Sequence, residues 1–128
     1  MVGEERDAQA RGDESPLVDG EDYRVVLVTA PSDEVAERLA RGLVESGQAA
    51  CVNLVRGLRS LFRWEGAIEA EDEVLLVIKT RAELLAELVA HLEREHPYET
   101  PECIALRPAE VARAYARWWS DSSPGSGR

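Results

Sequence analysis

This chain is poor in the chemistry that marks the common functional classes. It has two cysteines in 128 residues, Cys51 and Cys103, far apart and outside any CxxC or Cys/His pattern. That excludes a disulfide framework and a zinc-finger type of centre, and it fits two structural thiols kept reduced in the cytoplasm. No apolar run approaches the ~20 residues of a membrane-spanning helix, so no membrane association is expected. The acidic start lacks the basic and apolar stretches of a secretory signal. Cations are scarce: 15 Lys and Arg stand against 25 Asp and Glu, a formal net charge of -10. Phosphate-backbone binding needs clustered cations, so nucleic acid is not an expected partner. There is no glycine-rich phosphate loop and no nucleophile–base–orienter set. No catalytic residue is assigned, and the protein is expected not to be an enzyme.

The acidic excess is uneven. Residues 1–22 hold eight acids against Arg6 and Arg11, which leaves about -4 for the rest, an ordinary value for a small domain. Residues 1–21 have little apolar periodicity and read as a disordered acidic extension whose removal should leave folding unchanged. Residues 120–128, with Ser-Ser-Pro-Gly-Ser-Gly, read as a flexible tail. One domain is expected over residues 22–119.

Within it, Tyr23–Ala30 is β-branched and almost wholly apolar, as a central strand is. Ser32 can cap a following helix with Val35, Leu39, Leu43 and Val44 on one face, and Gly47 can end it. Strands are expected over 49–55, after Gly57 through Trp64, and over 67–79, with Glu65-Gly66 as the hairpin turn. Two such paired segments make a ribbon ~40 Å long at ~3.3 Å per residue, more than the domain's own helices can cover. Thr80 and Glu83 fit a capping box for a second helix with Leu84, Leu85, Leu88, Val89 and Leu92 inward. Residues 102–106 read as a fourth strand, and Pro108 can open a third helix. The order βαββαβ with a C-terminal helix is the ferredoxin-like arrangement of the α+β class, with helices on one face of an antiparallel sheet. The open face and the excess ribbon argue for an oligomer.

Between the second helix and the fourth strand lies His96-Pro97-Tyr98-Glu99-Thr100-Pro101-Glu102, an imidazole, a phenol and two carboxylates set among prolines. On residue types alone it suits a stiff solvated connection at least as well as a site. Imidazole and carboxylate are ligand types for copper or zinc, which makes His96 and Glu102 the metal candidates.

Three blocks in this order resemble the CutA, or divalent-cation-tolerance, family: Thr29-Ala30-Pro31; Ala50-Cys51-Val52-Asn53 with Ser60-Leu61-Phe62-Arg63-Trp64-Glu65-Gly66 and Ile78-Lys79-Thr80; and the 96–102 segment. The resemblance implies a ferredoxin-like homotrimer joined through the long ribbon. It implies a role in tolerance of divalent metals, copper above all, without a required cofactor. It also implies a likeness to PII signalling proteins, with ligands taken up in clefts between subunits. The residues it places there are Asn53, Trp64, Lys79, Tyr98 and Glu99, beside His96 and Glu102. Two alternatives go with it: a PII-like small-molecule sensor, and an assembly protein whose trimer supports a partner. This chain departs from the family pattern at Val28, where some members have Cys, and at Glu95, where some have a second His. Phe62 stands where Tyr is frequent, and Val111-Ala112 where Gly-Asn is frequent. Without the thiolate and the second imidazole, any metal affinity is expected to be weak, ~10 μM or poorer, with little preference for copper.

Overall fold

In the computed structural model, which describes residues 15–125, the chain starts with a short strand, β1 (Leu17–Asp19). It pairs antiparallel with β6 (Glu110–Ala112), Val18 opposite Val111. The boundary expected at residue 21 is therefore too late. Val18 packs with Tyr23, Val25 and Trp118 around Val111, Ala116 and Trp119, which repays the ordering of this short segment. Gly20 makes the link: its amide donates to Ala109 O at 3.1 Å. A Cβ there would lie 1.9 Å from the Pro108 carbonyl oxygen. The expected disorder of residues 1–14 lies outside the described residues.

β2 (Tyr23–Ala30) is the central strand. α1 (Asp33–Glu45) follows, with Ser32 Oγ accepting from Val35 N at 3.2 Å, and Gly47 at φ 79° closes the turn as its sequence position suggests. β3 (Cys51–Trp64) is one strand rather than two, bent where Gly57 (φ 81°) carries a bulge between Val55 and Leu58. Glu65 and Gly66, both at positive φ, turn it into β4 (Ala67–Arg81).

The capping box does not form. β4 runs on through Thr80, whose side chain points into the core and donates to Gln48 O at 2.6 Å. Glu83 instead pairs with Arg81. A 3-10 turn (Ala82–Leu84) leads into α2 (Leu85–Glu95), and β5 (Ile104–Leu106) follows the proline-bracketed segment. Pro108 does not open a helix either. β6 intervenes, takes in Val111-Ala112, and α3 (Arg113–Asp121) begins after it.

The four-stranded sheet has the order β3-β4-β2-β5, with each adjacent pair antiparallel, which is the ferredoxin-like order. On one face Val26, Val28, Leu76 and Ile78 meet Leu39 and Leu43 of α1 and Leu88 and Leu92 of α2, all essentially inaccessible. Each such side chain contributes about 1.5–3 kcal/mol by burial.

The helices are not confined to that face. α3 crosses one end of the other, where Trp119 Nε1 donates to Thr80 O at 2.9 Å and Tyr23 Oη donates to Ala116 O at 3.1 Å. The chain is ordered past Ser120: Ser123 is fully buried, Arg81 Nε donates to its carbonyl at 2.9 Å, and Gly125 N donates to Gly47 O at 2.8 Å. The flexible tail expected from residue 120 thus begins no earlier than residue 126, and residues 126–128 lie outside the described residues. Beyond α3 the second face is open, with Val55, Ile104 and Leu106 each about half exposed. The outer ribbon leaves Leu61, Trp64 and Ile68 more than half exposed.

Candidate functional site

Leu92 O receives the His96 amide at 2.8 Å, and Pro97 then ends α2. This fold of the chain drives the His96 ring inward, where it is 7% exposed. Nδ1 accepts from the Tyr98 amide at 3.0 Å, so the proton of the neutral ring sits on Nε2, which donates to Thr29 O at 2.8 Å. Both ring nitrogens are thus spent on backbone groups. The Tyr98 ring lies 4.7 Å from the imidazole, centre to centre, and its hydroxyl donates to Glu73 Oε2 at 2.8 Å. Partial burial, then the hydrogen bond and charge of Glu73, push the Tyr98 phenol well above the ordinary tyrosine range. The segment staples β2, α2 and the base of the ribbon together.

The two metal candidates stand in different settings. A ligand nitrogen must offer a free lone pair, and His96 has none without breaking a buried hydrogen bond. Glu102 is exposed beyond Pro101. Among the described residues no three His, Cys, Asp or Glu side chains converge as a metal centre. In this geometry the His96 ring holds the segment to β2 and to its own backbone.

The five cleft residues fall into separate places within one chain. Lys79 and Asn53 come together: Cys51 is the register partner of Lys79, and Val77 that of Asn53, so both side chains share the open face. Lys79 Nζ donates to Asn53 Oδ1, and Cys51 Sγ lies 3.9 Å from the same oxygen. Tyr98 is tied to Glu73, and Glu99 is exposed beside it. Trp64 stands at the ribbon tip, eleven residues beyond Asn53, a span of ~35 Å along an extended strand. Within one chain Trp64 is therefore remote from the Lys79–Asn53 pair.

Reading the sequence missed Glu73 and Tyr115. Glu73 lies in an acidic run and gains its meaning from the register Leu58–Glu73. Tyr115 is raised by burial and by nearby Cys51, and belongs to the aromatic group on α3 with Trp118 and Trp119. A separate groove of about 460 Å³ runs between α1 and α2, where His91 faces Arg38, Arg41, Gly42 and Glu95. Burial, then Arg94, holds His91 below the ordinary histidine value.

Comparison with known proteins agrees with this architecture. The family model described as CutA1 divalent ion tolerance protein matches residues 24–122. The divalent-cation tolerance protein CutA of Thermus thermophilus is 43% identical over 99 residues, 77% of this chain and 96% of that protein. Protein CutA, chloroplastic, of Arabidopsis thaliana is 41% identical over 99 residues, which span 77% of this chain and 54% of that one. The structure of CutA from Synechococcus elongatus superposes with a TM-score of 0.81 at 39% identity, over 84% of this chain and 96% of its own. From its sequence, its fold and these relatives, the chain belongs to the CutA1 divalent ion tolerance family.

Proposed function

We propose that this protein is a cytoplasmic homotrimer that serves tolerance of divalent cations, copper among them, by taking up a ligand in clefts between subunits and without catalysing a reaction. The observation that carries this reading is the open sheet face. Leu27, Leu75, Val77, Val55, Ile104 and Leu106 form an apolar surface there, and the ribbon continues this face with Phe62 and Trp64 while exposing Leu61 and Ile68 on its other face. A surface of this kind marks an interface. The clefts of this reading are those that the family resemblance implies, with Trp64, Lys79 and Asn53 among their residues. The names of the relatives support the cation role, and the engaged nitrogens of His96 support a non-catalytic one, since that imidazole is not available for proton transfer. No resident cofactor is part of the reading. Among the described residues no helix is long and apolar enough to cross a membrane.

The test is a strain lacking this protein, challenged with graded copper, zinc and cobalt salts. Restored growth with the wild-type chain, and no restoration with a Leu106→Glu variant that remains monomeric, supports the reading. Equal metal sensitivity with and without the gene rejects it.

A further inference from the structure

Lys79 is the only lysine among the 15 cationic residues of the chain, the other fourteen being arginine. It sits half buried on the apolar face, between Val25 and Cys51 in register and two residues from Val77. Among the described residues it has no carboxylate partner, whereas Arg38, Arg41, Arg56, Arg59, Arg81 and Arg107 all have one. The nearest acid along its row of β4 is Glu73, six residues away, ~20 Å in an extended strand.

The donor count is lopsided. An ammonium carries three N–H groups, and one is spent on Asn53 Oδ1. In that contact the amide oxygen faces the ammonium and Cys51 Sγ, so its two N–H groups face away, with no partner among the described residues. Two N–H groups of Lys79 and two of Asn53 therefore remain on a face where the neighbouring acceptor is already used. A positive group with surplus donors, apolar surroundings and no acceptor complements an oxyanion.

We infer that Lys79 and Asn53 form a binding site for the carboxylate or phosphate group of a small metabolite, and that this is the ligand class of the inter-subunit cleft. The inference rests on the cleft reading and adds the chemistry of its occupant. A compact ammonium suits the role better than a guanidinium here. It can hold the Asn53 carbonyl and two anion oxygens at once around one nitrogen.

The sole lysine makes the test direct. Full-length protein labelled with 13C-lysine gives one Cε signal, which is followed while inorganic phosphate, acetate or citrate is added, with chloride as the ionic-strength control. The expected result is a saturable shift with phosphate or with the carboxylates, half complete at ~1–10 mM, and only a small linear drift with chloride. Whichever anion saturates at lower concentration identifies phosphate or carboxylate as the group. Asn53→Asp supplies a carboxylate to the ammonium and removes the donors, so it should weaken the effect at least ~10-fold. No saturable shift with any oxyanion, or an undiminished one in Asn53→Asp, overturns the inference. Light scattering on the same samples separates the two claims. A trimer without a saturable shift rejects the oxyanion site alone, and a monomer with one rejects the cleft and keeps the site.

Discussion

The two faces of one sheet have met opposite fates. On the helix side, Val26, Val28, Leu76 and Ile78 are fully inaccessible beneath α1 and α2. On the other side, Val55, Ile104 and Leu106 are 47–49% exposed, although they are as apolar. The strands alternate between these environments residue by residue, so the same hydrophobic run supplies both. The first face shows what a chain of this size can bury by itself. The second is the surface that the proposed trimer would cover.

Truncations on the two faces should separate them most clearly. Leu39→Ala or Leu88→Ala empties a space within the core and should lower stability by about 2–5 kcal/mol in urea unfolding, with no change in subunit number. Leu106→Glu should have little effect on the fold of the protomer and should dissociate the assembly. If Leu106→Glu unfolds the protomer, or leaves the assembly mass unchanged, the division of labour between the faces is wrong.

The next largest effects belong to the loop. His96→Ala leaves Thr29 O and the Tyr98 amide without partners and should cost about 2–3 kcal/mol. Calorimetry should find the affinity for copper or zinc unchanged from wild type. A loss of metal binding without a loss of stability would restore His96 as a ligand.

Residues 1–21 sharpen the comparison from a third direction. Their removal takes away β1 and uncovers Val111 and Tyr23 at the end of the second face that α3 covers. A drop in Tm of several degrees is expected, about 1–2 kcal/mol for a domain of this size. An unchanged Tm would show that the β1–β6 pair adds nothing.

The smallest effects are titrations. The folded protein favours the protonated Tyr98 phenol, so its contribution to stability is present below the ordinary value of 10 and is lost as pH rises through the higher folded value. Ultraviolet titration should show phenolate forming later than for a free tyrosine, and Glu73→Gln should bring it back toward the ordinary range. His91 has the opposite sense. Its folded value lies below 6.5, so its small contribution is present above 6.5 and is lost as pH falls through the folded value. His91→Gln should flatten the acid side of the stability profile.

How far the sequence disclosed this structure varied with the range of the interaction. The ferredoxin-like order, the Ser32 cap, the Glu65-Gly66 turn and the Gly47 stop are local and were legible. Thr80 was misread because its capping pattern is local, while the register of β4 with β2 is not, and the register prevailed. Val18 was missed because three residues carry no periodicity, and only Val111, ninety-three positions away, gives the strand a partner. His96 stands out by residue type, but its place in the fold does not. Its residue type suggests a ligand, and only the placement of Thr29 O and the Tyr98 amide shows that both nitrogens are taken. The Lys79–Asn53 contact likewise depends on strand register, although the family pattern had marked both residues.

The most direct test of the account is the mass of the wild-type protein in solution. Its central claim is that the open face and ribbon are completed by two further copies. Multi-angle light scattering at micromolar concentration should give three times the 14.2 kDa chain mass. It should give the single-chain mass for Leu106→Glu, with far-UV circular dichroism unchanged. A stable, folded wild-type monomer of 14.2 kDa would contradict the account.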